Sequence, residues 1–559
     1  MNRVLYSSFF TLIGLCVISQ NSSAQLPTYI WDNTLRSMSS SVTLASSSGT
    51  EALDFDADGN VYSAGHFYGT IDANSGSGTT SLVATTSGSK GYIKKTDANG
   101  VLIWAKKFDG DGDITIYDME TDDSGNCYAA GRFSETIDFD PSSGTSNLTS
   151  IQNSDLFIVK LNNLGEFQWV KRLTSASSLI PDGISVDPSG NPNIHGYFGG
   201  TVDFNPGTGA FSMTGTFHGY WLRLDPSGNF VFAKQLASSG GTRIKDLIFA
   251  ADGSATICGY HGGTTDFDLG TGVNEISTPS NNSNDIFFAR YTSDAGYVWA
   301  KSLGGSNSDE PNAIALDPSG NLLVTGTFRN SVDFDPGTGV TSFYSGGSTD
   351  DDMFIAKYST TGNFIWAKQF GNEDGNYTDE NTHSITTDVN GNVVVTGFYY
   401  DGIDFDPGTG VYNLYTGLNR NTFALSLNPN GVFNWAFDYE MPSLGGSESE
   451  VVRYAADGAL YLCGYTEGEC DMDPGPGEEM LVADDYQGYV LKLGPPVPIA
   501  AFTTSTNLGC VGSTITLTNT SSLNPTSFLW TSDGGTIANP TSANTTITFS
   551  QPGGYQIDL

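Results

Sequence analysis

Asp317-Pro-Ser-Gly-Asn-Leu-Leu-Val-Thr-Gly326 is the stretch from which the fold can be read. It opens with turn chemistry: Asp caps its own turn, and Gly supplies a positive φ. Four β-formers follow, and a second glycine closes the motif. The same pattern runs from Asp56 to Gly65, Asp122 to Gly131, Asp187 to Gly196 and Asp388 to Gly397. Weaker copies with Ala-Asp-Gly in the turn end at Gly259 and Gly464. The seven closing glycines are 66, 65, 63, 67, 71 and 67 residues apart. A period this regular marks a repeat architecture.

A second motif follows each of the first six copies. It is an aromatic–aliphatic–Lys strand, a Gly turn, and an aromatic–x–Trp–Ala–Lys strand, as in Phe354-Ile-Ala-Lys357 and Gly362-Asn-Phe-Ile-Trp366-Ala-Lys368. The Trp position holds Trp104, Trp169, Phe232, Trp299, Trp366 and Trp435. The seventh copy stops at Tyr489-Val-Leu-Lys492 with no Trp strand after it. Tyr29-Ile-Trp31 lies ahead of the first copy and supplies the missing strand.

Each repeat therefore reads as four short strands between turn clusters, with no helical periodicity. Seven such units predict an all-β chain: a seven-bladed β-propeller of four-stranded blades, closed by the N-terminal strand. Closure removes the open edges that a linear array would expose. The first strand of a unit, such as Asn312-Ala-Ile-Ala-Leu316, is small and apolar, as an inner strand requires. The Trp strand is outermost, its Trp covering the groove to the next blade and its Lys directed to solvent.

These units resemble the bacterial β-propeller repeat SBBP of large secreted proteins of Bacteroidetes type. The likeness rests on D-x-x-G-N-x-x-x-x-G, D-x-F-I-x-K and W-A-K, and spans about residues 27–494. It implies fold but no shared activity. Residues 495–559 resemble a PKD-like β-sandwich of the Ig type, through Phe502, the stretch from Cys510, Phe528-Leu-Trp530 and Tyr555. Trp530-Thr-Ser-Asp-Gly-Gly departs from the usual W-x-F-G-D-G of that family. The chain ends within what reads as a closing strand, so a fragment is expected. The resemblance also implies further modules and a sorting domain of the type IX secretion system.

At the N-terminus, Arg3, the apolar run Val4–Ile18 and Ser22-Ser23-Ala24 read as a signal peptide over residues 1–24, with Gln25 the first mature residue. Export to the outside or the outer cell surface follows. Five Cys then remain, too few for a disulfide framework, with Cys463 and Cys470 close enough in sequence to bridge. The chain carries 61 Asp+Glu against 23 Lys+Arg, a formal net charge of -38. Loss of Arg3 makes this 22 minus 61, or -39. Such a charge argues against a nucleic-acid partner and suits an extracellular protein or a cation binder.

Chemistry concentrates in a third repeat, V-D-F-D-P-G-T-G, between the second and third strands. Its acids are Asp138, Asp140, Asp203, Asp266, Asp268, Asp333, Asp335, Asp404, Asp406, Asp471 and Asp473, with Asn205 in one copy and Asp72-Ala-Asn74 in the first unit. Two residues apart on a strand, paired Asp point the same way. Two readings stand: Ca2+ ligands ringing one rim, or carboxylates that cap their own turns. Asp54-Phe-Asp-Ala-Asp-Gly59 looks like half a calcium loop, but Gly65 occupies the place of its bidentate acid.

His66, His195, His218, His261 and His383 share no repeat position, and no nucleophile motif accompanies them. Tyr399, Tyr400, Tyr412 and Tyr415 are candidates for stacking on sugar rings. The sequence supports a non-enzymatic scaffold presenting loops to a protein or glycan. A calcium-stabilised carbohydrate-binding adhesin and an extracellular hydrolase or lyase are the alternatives.

Overall fold

The computed structural model describes residues 8–9, 26–38, 47–279, 283–347, 350–371, 380–400, 402–415, 420–439, 447–495, 502–506, 511–521, 527–551 and 555–559. The signal segment apart from Ser8–Phe9, its cleavage site and Cys510 lie outside them. The regular elements are all strands, and among the described residues no helix is long and apolar enough to cross a membrane. Two compact units result: residues 29–494, and a second built on residues 495–559.

The larger unit holds seven antiparallel sheets in chain order, each with four main strands, and in the first the outer strand Leu102–Gly110 also pairs with the short hairpin strand Thr136–Asp138 of the next repeat. The fifth shows the pattern: Glu310–Leu316, Leu322–Arg329, Asp351–Tyr358 and Phe364–Phe370, each paired with the next. The first strands of the other sheets are Ser48–Phe55, Ile114–Thr121, Leu179–Val186, Thr242–Phe249, Asn381–Thr387 and Ser447–Tyr454. Sheet seven takes its fourth strand from Thr28–Thr34, as the displaced Trp31 predicts. Each first strand packs on the first strand of the following sheet, and that of sheet seven packs on that of sheet one. Ladder pairing does not join these first strands, so the sheets stay separate and do not merge into one closed sheet.

The cores lie between sheets. Ile158, Phe198 and Tyr220 fill the space between sheets two and three, and Leu53, Val61 and Tyr461 that between sheets seven and one. The V-D-F-D-P-G-T-G segments form short hairpins, such as Ser331–Asp333 with Ser342–Tyr344. Their middle aromatic is a plug: Phe139, Phe204, Phe267, Phe334 and Phe405 are fully buried against the preceding sheet and their own.

In sheets one, two, five and seven the outer Trp and the third-strand Lys latch the sheet to its successor. Trp104 Nε1 and Lys95 Nζ both donate to the carbonyl of Asn163, in the next sheet's last turn, at 3.2 and 3.3 Å. Trp169 with Lys160 and Trp366 with Lys357 repeat this on Pro226 and Pro429. Trp31 and Lys492 of sheet seven do it on Ala98 of sheet one, at 3.3 and 2.9 Å. Lys95 and Lys357 also form buried ion pairs with Asp56 and Asp317 of the D-x-x-G-N turns, at 2.8 and 2.9 Å. The Lys of the Trp strand is half-buried, and Lys234 donates to the Leu269 carbonyl, so it is not directed simply to solvent.

The latch needs a glycine. Gly165, Gly228 and Gly431 have φ of 73, 78 and 74°, and a Cβ on them would stand 2.9–3.0 Å from the indole of Trp104, Trp169 or Trp366. The exception is paired. Where the outer residue is Phe232, the facing turn residue is Ala295, at φ 63°, in the same buried cluster. An L-residue in this region costs roughly 1–2 kcal/mol. Ala295→Gly is therefore expected to stabilise by about 1 kcal/mol in denaturant titration. Phe232→Trp alone is expected to cost about 1–3 kcal/mol through overpacking. The double variant recovers most of that cost; additive effects would show that the two positions do not meet.

The smaller unit has two sheets. One orders Phe502–Thr504, Thr514–Asn519, Asn544–Thr548 and Thr536–Ile537. The other holds Thr531–Ser532, Gln556–Asp558 and Ser8–Phe9, the last pairing with residues 556–557. Trp530, Ile515, Leu517, Ile547 and Ile557 make the core, and Trp530 Nε1 donates to the Ser542 carbonyl at 2.8 Å.

Candidate functional site

The acids of the hairpins are spent within their own loops. Asp333 Oδ1 accepts from the backbone N–H of Asp335 and of Thr341, and Asp335 Oδ1 from that of Gly337. The same three bonds hold Asp138 with Asp140, Asp203 with Asn205, and Asp266 with Asp268. They hold Asp404 with Asp406, Asp471 with Asp473, and Asp72 with Asn74. The other oxygen of the second Asp lies over a loop glycine. A Cβ on Gly339 would stand 2.1 Å from Asp335 Oδ2. This is the geometry of turn capping.

Asp54 and Asp56 part company in the same way. Asp56 caps its turn, and Asp54 reaches the next sheet to accept from Thr121 N–H and Oγ1, each at 2.7 Å. Cys127, Cys258, Cys463 and Cys470 are buried free thiols, so the expected bridge between Cys463 and Cys470 is absent. The two lie on one strand facing different partners, Val490 and Leu481. The tyrosines mostly pack their own region. Tyr399 is fully buried with its hydroxyl on Asp438, and Tyr412 stacks on Phe433 with centroids 4.9 Å apart. Tyr415 is 66% exposed.

What the repeat motifs do not announce is a channel between the first strands. A cavity of about 380 Å³ is lined by Leu53, Asp118, Ile184, Asp246, Ile314, Ile385 and Arg453, one from each sheet. It carries acids that bind the neighbouring strand's backbone. Asp118 accepts from Ile184 N–H, Glu120 from Val186 N–H, and Asp246 from Ile314 N–H. First strands are not laddered to one another, so these carboxylates satisfy donors that face the channel. Burial pushes the Asp118 carboxyl up to about 7, against hydrogen bonds from Ile184 and Met119 and the Arg453 charge. Burial also raises Glu120, and the charge of Asp54 adds to it.

At the D-x-x-G-N end the channel opens into a cavity of about 760 Å³. Asp54, Asp56, Glu120, Asp122, Asp123 and Asp187 line it, with Lys160 as its cation. At the other end every first strand has a one-residue β-bulge at the same repeat position. The bulged residues are Glu51, Tyr117, Asp182, Lys245, Asn312, His383 and Glu450, six of seven polar. Bulges re-aim side chains and gather beside functional sites. The sequence signal was present but offset: Glu51, Asp182, Lys245, Asn312 and Glu450 fall four places before the closing Phe55, Val186, Phe249, Leu316 and Tyr454 of their inner strands.

Two groups of three ligand-type side chains converge among the described residues: His383 with Glu448 and Glu450, and Asp350 with Asp352 and Glu380. Neither includes a hairpin Asp. Among the histidines, His261 bonds Ser302 Oγ at 2.8 Å and Thr265 Oγ1 at 3.0 Å. Its third member is a hydroxyl where a triad needs a carboxylate. Burial also holds its ring down at about 4, too low for a general base at neutral pH.

The Beta-propeller repeat family, SBBP, matches residues 298–327. An uncharacterized WD repeat-containing protein, L264, of Acanthamoeba polyphaga mimivirus is 23% identical over 371 residues, 55% of this chain and 26% of that protein. The regulatory protein FlaEY of Caulobacter vibrioides is 24% identical over 259 residues, 44% of this chain and 25% of that one. The chain thus spans about a quarter of the length of these curated relatives. Among solved structures, Sqt1 from Chaetomium thermophilum aligns over 88% of this chain and 97% of its own, with 11% identity and a TM-score of 0.34. A glucose dehydrogenase aligns over 62% and 94%, with 12% identity and a TM-score of 0.28. The repeat match and the WD-repeat relative, with the strand-only repeats, define the class: this is a β-propeller repeat protein.

Proposed function

We propose that the chain is a secreted or surface-displayed, non-enzymatic seven-bladed propeller that binds a basic segment of a partner protein at its acid-lined mouth. The observation that carries this is the 760 Å³ cavity, walled by six carboxylates and one lysine, at the open end of the axial channel. An acidic concavity concentrates cations and speeds the encounter with a basic partner. The seven sheets serve as blades because each latch, including that of Trp31 and Lys492 on Ala98, reaches the next sheet round the ring. The sandwich of residues 495–559 acts as a PKD-like spacer. The apolar run Val4–Ile18 and the net charge of -38 support export.

The test is binding of a fluorescent oligolysine peptide, followed by anisotropy at several salt concentrations. Binding is expected to weaken about tenfold or more in Asp122→Asn/Asp123→Asn and to fall with salt. It is expected to be unchanged in Asp333→Asn/Asp335→Asn, which removes as much charge from a hairpin. Equal losses in both variants would sink the mouth as the site.

A further inference from the structure

We propose that His383, Glu448 and Glu450 bind a divalent transition-metal ion of the zinc class, where the first strands of sheets six and seven meet. One ligand atom from each lies within 4.8 Å of the other two. His383 Nε2 stands 3.3 Å from Glu448 Oε1, and Nδ1 stands 3.6 Å from Glu450 Oε2. Ligands about 2.0–2.1 Å from a tetrahedral zinc are themselves roughly 3.3–3.4 Å apart. On the Nε2 side His383 and Glu448 are therefore already at coordination spacing, and Glu450, within the 4.8 Å span of the group, closes on the ion from the Nδ1 side.

The imidazole is set for this role by a neighbour outside the group. His383 Nδ1 lies 3.2 Å from the Ser449 carbonyl oxygen. A proton on Nδ1 donated to that carbonyl leaves the Nε2 lone pair facing Glu448. Backbone carbonyls orient metal-binding histidines in this way. Phe398 packs edge-on against the ring, 5.4 Å between centroids.

Charge counting points the same way. Three carboxylates, Glu51, Glu448 and Glu450, lie on the first strands of sheets one and seven, which pack on each other. Arg420 pairs with Glu448 at 2.7 Å, and His66 sits 3.2 Å from Glu51. Arg420 thus takes one oxygen of Glu448 and leaves the other towards His383. An imidazole beside carboxylates favours zinc over calcium, which takes oxygen ligands. The bulges supply the placement: His383 and Glu450 are the extra residues of their strands, turned out of the ladder towards one another.

The experiment is zinc titration of the metal-stripped full chain by calorimetry, with a thermal melt and cobalt substitution alongside. One equivalent is expected to bind with micromolar or tighter affinity, to raise the Tm, and to give the visible d–d absorption of tetrahedral cobalt. His383→Gln and Glu450→Gln are each expected to weaken binding at least tenfold, while Asp333→Asn/Asp335→Asn does not. No zinc binding by the wild-type chain overturns the proposal, as does zinc binding undiminished in His383→Gln. An equal thermal shift with calcium overturns the metal class. If a variant fails to fold, the wild-type titration and cobalt spectrum decide alone. The oligolysine experiment reads the opposite end of the channel, so either reading can fail without the other.

Discussion

Phe334→Ala is expected to lower stability by about 3–5 kcal/mol, the cost of truncating a fully buried aromatic side chain. Phe334 is 0% exposed in a hairpin loop, a place where loops are ordinarily wet. Its ring lies 5.4, 5.2 and 4.9 Å from those of Phe328, Phe343 and Phe354. Its backbone carbonyl accepts the Tyr358 hydroxyl at 3.0 Å. The cavity left would lie between sheets four and five, where Phe288 and Leu303 have no room to collapse. Asp335→Ala in the same loop loses one turn-capping bond, worth about 1 kcal/mol. Midpoint shifts in guanidinium for the two variants check this directly. Equal small shifts would make the hairpin a surface ornament and not part of the core.

Removing residues 26–34 is expected to cost more, roughly 5–10 kcal/mol, counting about 1 kcal/mol per lost ladder bond and 1.5–3 for the Trp31 side chain. The strand does three jobs. It completes sheet seven, whose long strand Met480–Gly494 would otherwise present an open edge. Trp31 packs edge-on against Tyr461 at 5.7 Å and holds the Ala98 carbonyl of sheet one. Asn33 Nδ2 donates to the Gly100 carbonyl at 2.7 Å, and its Oδ1 accepts from the buried Lys94 ammonium. Burial already pulls Lys94 down to about 7. Without Asn33 that amine is buried with its acceptor gone. The truncated chain is expected to melt well below the intact one and to self-associate on gel filtration. Matching melts would show that the ring does not depend on its first strand.

Much of this architecture was legible because the period is long and the motifs are local. D-x-x-G-N forms its turn through bonds within five residues, so it reads the same in five of the seven copies. The displaced Trp31 announced the origin of the seventh sheet's last strand. The middle Phe of the hairpin was harder to place: between two acids and beside Pro-Gly it looked like loop chemistry, and its burial depends on the sheet before it. The acids on the first strands were harder still. Asp118 and Asp246 sit where pattern reading expects apolar residues, each directly after a β-bulge that is invisible in sequence, and both line the channel. Sites assembled from seven distant strands leave no contiguous motif, whereas hairpin carboxylates that cap their own turns leave a conspicuous one.

The pairing of Phe232 with Ala295 bears on how such a chain can be edited or can diverge. In the first three sheets the outer strand is matched to a turn some sixty residues downstream, in the sheet that follows. A whole sheet lifted out and replaced would carry its aromatic away from the residue fitted to it. The segment that can be exchanged cleanly is staggered, from the turn of one sheet through the outer strand of the same sheet to the turn of the next. Duplication or shuffling in frame with that stagger preserves every match, while cuts at the sheet boundaries break two matches at once.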